Sequence, residues 1–126
     1  MKYLCLAYEE EVKLNALTTS EWEALRLATM AYVDQMRQRG QLVATEPLES
    51  VQTATTVRMR DGQLLTTDGP FAETKEQLGG FFLIEAKDLD EAIAIAAEWP
   101  SARIGSIEVR PVLDELKPGG RYAPPR

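Results

Sequence analysis

Phe81-Phe82-Leu83-Ile84-Glu85-Ala86 is the stretch on which the fold turns. Read as a strand, it places Phe81 and Leu83 on one face and Phe82, Ile84 and Ala86 on the other. Both faces are apolar, so both need cover. Asp88 follows at once and is placed to cap a helix over Leu89 to Glu98, which Pro100 stops. Its stripe reads Leu89, Ala92, Ile93, Ala96 and Ala97. A last strand spans Ser106 to Val112, with Ile107 and Val109 facing one way and Glu108 and Arg110 the other. The stretch therefore opens a strand–helix–strand unit.

Working toward the N-terminus, the same grammar recurs. Lys2 to Tyr8 is a strand with Leu4, Leu6 and Tyr8 on one face and Tyr3, Cys5 and Ala7 on the other. A helix follows to Arg39, starting near Thr18 or Ser20. Thr18 with Glu21 fits a capping box, and Ser20 with Glu23 offers a second register. Trp22, Leu25, Thr29, Tyr32, Val33 and Met36 form its stripe, and Gly40 caps its end. An extended segment, Leu42 to Leu48, comes next. Thr53 to Arg60 and Gln63 to Thr67 then form a hairpin about Asp61-Gly62, with Thr55, Val57 and Met59 on one face and Ala54, Thr56, Arg58 and Arg60 on the other. Phe71 to Leu78 is too short for a major helix, and Gly79-Gly80 reads as a break.

The order is βαββαβ with an added β-hairpin: an α+β, ferredoxin-like plan with two helices on one sheet face. Two helices cover one face only, while the strands at Lys2 and Phe81 are apolar on both. The natural cover for the second face is a second copy of the chain, so a homodimer is expected.

Composition narrows the chemistry. The 126 residues make one domain, here drawn as 1–112, with a Pro/Gly-rich tail over 113–126. Apolar residues are 44% and charged residues 27%, as in an ordinary globular chain. Acids outnumber bases 20 to 14, a net charge of -6, so no direct nucleic-acid binding is expected. There is no histidine and one cysteine, Cys5. No Ser-His-Asp triad, Cys-His pair, His-ligated metal or internal disulfide can be built from this chain. No cofactor is expected. No apolar run reaches the length of a membrane span or a signal core, so a cytoplasmic protein is expected.

Thr66 to Phe82 reads Thr-Thr-Asp-Gly-Pro-Phe-Ala-Glu-Thr-Lys-Glu-Gln-Leu-Gly-Gly-Phe-Phe. It resembles the signature of the DGPF-motif branch of the YCII-related family. The likeness runs from Met1-Lys2-Tyr3-Leu4 to Ile107-Glu108-Val109-Arg110-Pro111-Val112. It implies a ferredoxin-like fold assembling as a dimeric α/β barrel, in bacterial cytoplasmic proteins often encoded beside extracytoplasmic-function sigma factors. A sigma factor is thus an implied partner. Some wider members resemble lyases and dehydrochlorinases that use a His-Asp pair, which a chain without histidine cannot reproduce.

Two side-chain groups are candidate sites. Asp68, Glu73 and Lys75, with Glu76, sit on a loop where Gly69 allows unusual backbone angles and Pro70 fixes its own, and Phe71 and Thr74 lie between them. Two carboxylates and an ammonium suffice for acid–base work on a small metabolite once burial shifts a pKa; the same loop serves equally for ligand binding. The plainer reading has Asp68 accepting a turn N–H, Phe71 plugging the core and the other charges solvated. Arg58, Arg60 and Arg110 are candidates for holding an anionic ligand, or for pairing across strands with Glu108 or Glu85. Cys5 reads as a buried apolar residue. Tyr3, Tyr8, Trp22 and Trp99 have the chemistry to line a pocket but read as core, and Glu9-Glu10-Glu11, acids that a divalent cation would need to draw together from successive residues, read as a solvated loop.

Overall fold

The computed structural model describes residues 1–113 and Arg121. The expected tail lies outside these, apart from Leu113 and Arg121. Six strands and three helices run in the order β1 (Lys2–Glu9), α1 (Glu11–Asn15), α2 (Thr19–Gln38), β2 (Leu42–Pro47), β3 (Thr55–Arg60), β4 (Gln63–Asp68), β5 (Gln77–Glu85), α3 (Leu89–Ala97) and β6 (Gly105–Pro111). The main sheet has the order β2-β5-β1-β6, all antiparallel, and β3-β4 forms a separate two-stranded sheet. This is the ferredoxin-like α+β arrangement with the added hairpin.

Local chemistry sets the helix ends. Thr18 Oγ1 accepts the Glu21 N–H at 3.1 Å while Glu21 accepts the Thr18 N–H at 3.0 Å, the reciprocal box read from the sequence. At the far end Gly40 takes φ +69°, and the Gln41 N–H reaches back to Met36 O at 2.9 Å. Asp88 Oδ1 accepts the Glu91 N–H at 2.9 Å and starts α3. The hairpin turn uses positive φ at both Asp61 (52°) and Gly62 (75°), as a tight two-residue connection demands.

The core lies on one sheet face. Tyr3, Cys5 and Ala7 from β1 and Phe82 and Ile84 from β5 are buried there, with Tyr32 and Met36 of α2 and Ala92, Ile95 and Ala96 of α3. Trp99 is the keystone. It stacks on Phe82 with ring centroids 4.1 Å apart and meets Tyr32 edge-on at 6.3 Å. Tyr32 in turn donates its hydroxyl proton to Ile95 O at 2.6 Å, so its polar end is satisfied. Burial pushes the Cys5 pKa up to about 12, which removes the thiolate at neutral pH and with it any nucleophilic role.

The opposite face carries Leu4, Leu6, Tyr8, Phe81 and Leu83, all half-buried and outside the core cluster. The alternation predicted for both strands is present, and the helices cover one side of it.

Four sequence expectations need correction. The stripe of α3 is Ala92, Ile95 and Ala96; Leu89 and Ile93 are about half exposed. Two alanines in register let the helix approach the sheet closely on that side. Burial on α2 is confined to its C-terminal half, so Trp22 in its first turn is also about half exposed. Gly79 and Gly80 do not break the chain, because β5 runs straight through them. Finally, Glu9 to Glu11 is not a solvated loop. Glu9 ends β1, Glu10 caps α1, and Glu11 opens it.

Candidate functional site

The two glycines of β5 shape the one irregular point of the main sheet's centre. Ala7 pairs with Gly80 but Tyr8 pairs with Leu78, so Gly79 is an extra residue bulged out of the ladder. Bulges re-aim side chains, and this one acts where β1 ends in Tyr8 and Glu9. A Cβ on Gly79 would overlap the Glu9 carboxylate, and a Cβ on Gly105 would overlap Tyr8 O. Glycine at both positions therefore makes room for the Tyr8–Glu9 end of the strand.

Over that end lies the loop 69–76. Gln77 holds it by donating from Nε2 to Thr74 O at 2.7 Å and to Lys75 O at 3.3 Å, while its Oε1 accepts the Glu11 N–H at 2.8 Å. The Glu11 carboxylate accepts from Ser50 Oγ at 2.9 Å and from the Val51 N–H at 2.8 Å. Thus α1, the segment after β2 and the loop are tied together by two side chains, Glu11 and Gln77.

Two open clefts flank Tyr8. One, of about 680 Å³, runs between Tyr8, Gln52, Phe71, Glu73 and Gln77. The other, of about 570 Å³, is bordered by Tyr8, Glu10, Lys75, Glu76, Ser106 and Glu108. Lys75 Nζ lies 3.6 Å from Glu10, which Lys13 also meets at 3.6 Å. Glu76 meets no cation among the described residues; its carboxylate accepts from Ser106 Oγ at 2.8 Å.

Behind this surface stands Glu9. Burial pushes its pKa above the ordinary 4.5; the Ser101 hydroxyl opposes the rise, and the negative charge of Glu76 adds to it. Ser101 is itself buried, and its Oγ has no hydrogen-bond partner in good geometry. A carboxyl with a raised folded-state pKa binds more protons folded than unfolded. Its contribution to stability is full below pH 4.5 and is lost as pH rises through the raised value. Glu9→Gln is accordingly expected to flatten the fall of melting temperature with pH in that window. Parallel wild-type and variant curves would contradict this environment for Glu9.

The structure distributes the sequence candidates unevenly. Asp68, Glu73 and Lys75 do not form one array. Asp68 ends β4 opposite Thr55 and lines neither cleft, Glu73 lines the larger, and Lys75 and Glu76 line the smaller. Asp68 does not cap the turn by its side chain. The turn is closed by the Gly69 N–H to Ala54 O at 2.7 Å and by Thr56 Oγ1 to Gly69 O at 2.9 Å. Phe71 does not plug the core; it is 81% exposed. Thr74 borders both clefts, and Gly69 the larger. Arg58 and Arg60 stand on the separate hairpin, and Arg110 is ion-paired with Glu108. Tyr8, whose pocket-lining alternative the sequence offers beside its core reading, borders both clefts. Sequence reasoning missed the buried position of Glu9, although Gly79-Gly80 inside an apolar strand pattern signals a close approach there.

This geometry can be set beside known proteins. An uncharacterized protein of Rhizobium meliloti (strain 1021) is 39% identical over 121 residues, covering 94% of this chain and 97% of its own. A solved structure of 5-chloro-2-hydroxyhydroquinone dehydrochlorinase from Burkholderia phenoliruptrix AC1100, in complex with 2,5-dihydroxybenzoquinone, shares the fold. It has a TM-score of 0.53 and 16% identity, and the match covers 89% of this chain and 93% of that one. The YCII-related domain matches residues 1–116, all of the main sheet and both helices that cover it, so the chain belongs to the YCII-related family.

Proposed function

We propose that the protein is a homodimer that binds a small molecule in the clefts beside Tyr8, under the loop 69–76. The observation that carries this is the pair of clefts built around a bulged strand end, of the size that small-ligand sites have, roughly 300–1,000 Å³. The dimer follows from the half-buried apolar face of Leu4, Leu6, Phe81 and Leu83. The fold neighbour, solved in complex with 2,5-dihydroxybenzoquinone, supports a small organic ligand on this scaffold.

Charge sets the ligand class. Glu10, Glu76 and Glu108 border the smaller cleft, against Lys75 alone. Lys75 is already shared with Glu10, and among the described residues Glu76 is met by the Ser106 hydroxyl. The site offers acceptors, so it suits a neutral or cationic molecule rich in hydroxyl or N–H donors. The arginines that suggested an anion do not line either cleft.

If the bound molecule is transformed, Glu76 is the group placed to move a proton. It is the cleft carboxylate whose charge reaches Glu9, and its bond from the Ser106 hydroxyl fixes its position. The test is a thermal-shift screen with neutral, cationic and anionic small metabolites. Neutral or cationic donors should stabilise the wild type, and Glu76→Gln should abolish the shift. Stabilisation by anions alone, or hits indifferent to Glu76→Gln, would overturn the assignment.

A further inference from the structure

The loop 69–76 is held at its two ends and unbonded between them. Gly69 is tied to the hairpin, its N–H to Ala54 O and its carbonyl to the Thr56 hydroxyl, and it takes φ +112°, a conformation that favours glycine. At the other end Gln77 holds Thr74 O and Lys75 O, and Ser106 holds the Glu76 carboxylate. Pro70, Phe71, Ala72 and Glu73 make no hydrogen bond or ion pair among the described residues. This four-residue flap can move against the cleft it borders without breaking one.

The flap supplies the exposed wall of that cleft. Phe71 is 81% exposed although it lines the space of about 680 Å³. Tyr8 is the second aromatic residue there, and neither ring is stacked on another among the described residues. Val51, Pro70 and Leu78 add apolar surface. Glu73 is the charged residue on the lining. Among the described residues no lysine or arginine lines this cleft, and none pairs with Glu73.

Charge and shape together select what fits. The face of an aromatic ring carries partial negative charge and attracts a cation held against it, more strongly where water is excluded. A carboxylate without a partner adds a full charge of the same sign, and the chain's net charge of -6 disfavours anions at longer range. Alkyl groups on the cation match the apolar walls. A bare divalent metal ion would find one carboxylate here and too few oxygens to replace its water.

We propose that the larger cleft takes an alkylated ammonium group, held between Tyr8 and Phe71 with Glu73 as its counter-charge, and that the flap 70–73 closes Phe71 over it. This rests on the reading of the clefts as small-molecule sites and narrows the ligand class from neutral or cationic to cationic. The two clefts share Tyr8 and Thr74, so one molecule reaches both, with its ammonium at Phe71 and its hydroxyl or N–H donors at Glu76.

The test uses choline and its uncharged analogue with carbon in place of nitrogen. Each is titrated into the full chain at constant ionic strength and followed by amide chemical shifts. The wild type should bind choline about tenfold more tightly than the analogue, with shifts centred on Tyr8 and the flap. Phe71→Leu keeps an apolar side chain but loses the ring face, and should erase most of that preference; Phe71→Trp should keep it. Glu73→Gln should weaken choline by about threefold and leave the analogue unchanged. Phe71 and Glu73 are both exposed, so these variants keep the fold. Equal binding of the two probes, no binding of choline, or a preference that survives both Phe71→Leu and Glu73→Gln would overturn the proposal. Neutral donors whose stabilisation still depends on Glu76 would in that case leave the reading of the clefts standing; loss of that dependence as well would remove both.

Discussion

Phe82→Ala is expected to cost about 3–5 kcal/mol of folding stability, as large aromatic truncations in sealed cores do. Phe82 is fully buried at the middle of β5, with Cys5 as its β1 partner. Its ring lies at 12° to Trp99 with centroids 4.1 Å apart, and Trp99 carries Tyr32 on its edge. Truncation removes the stack and leaves Trp99 without support on one side. The hydroxyl of Tyr32 and its bond to Ile95 O depend on that support. A domain of this size has a total stability of about 5–15 kcal/mol, so the variant should be largely unfolded or melt far below the wild type. Chemical denaturation measures it. A loss below about 1 kcal/mol would mean that the aromatic cluster is not the centre of the core.

Leu6→Lys is expected to leave the fold intact and to separate the dimer. Leu6 sits on the open face of β1, across from Phe81 on one side and Glu108 on the other. A lysine there stays solvated in a monomer. In the dimer it places a charge in the apolar contact, and the carboxylate across from it, Glu108, is already paired with Arg110, so the desolvation penalty is about 3 kcal/mol or more. Since about 1.4 kcal/mol is tenfold in Kd, dimerisation should weaken by two orders of magnitude or more. Light scattering should give the dimer mass for the wild type and about half that mass for the variant at micromolar concentration. Equal masses would contradict burial of this face between copies.

Sequence periodicity carried the fold because strands and helices here bury one chemically uniform face each. Thr18–Glu21, Asp88 and Asp61-Gly62 announce their elements by backbone chemistry alone, and each acts in the structure as that chemistry requires. What was not legible depends on the relative placement of elements. Phe71 looks like a core residue because phenylalanine usually is one; it lies instead on a loop that packs beside the sheet rather than under it. The true stripe of α3 is set by close approach at Ala92 and Ala96, which periodicity cannot rank against Leu89 and Ile93.

The candidate site was legible only in part. The loop from Asp68 to Glu76 stands out by its composition, and its part from Gly69 on borders the clefts while Asp68 does not. Its floor comes from Tyr8 and part of its charge from Glu10, more than sixty residues away in the chain, at a strand end shaped by the bulge at Gly79. A glycine pair reads equally as a break or a bulge until the partner strand is known. The acidic run at Glu9 hid its own division of labour. One carboxyl is pressed into the sheet end, one holds two lysines, and one anchors Ser50 and Val51.

The most direct measurement of the account is amide chemical-shift mapping of the isotope-labelled dimer with the compound giving the largest thermal shift. Perturbations concentrated at Tyr8, at Thr74 to Leu78 and at Ser106 and Ile107, and lost in Glu76→Gln, are the predicted result. Perturbations confined to α2, or to the hairpin tip around Asp61, with the Tyr8 end of β1 unmoved, would contradict it.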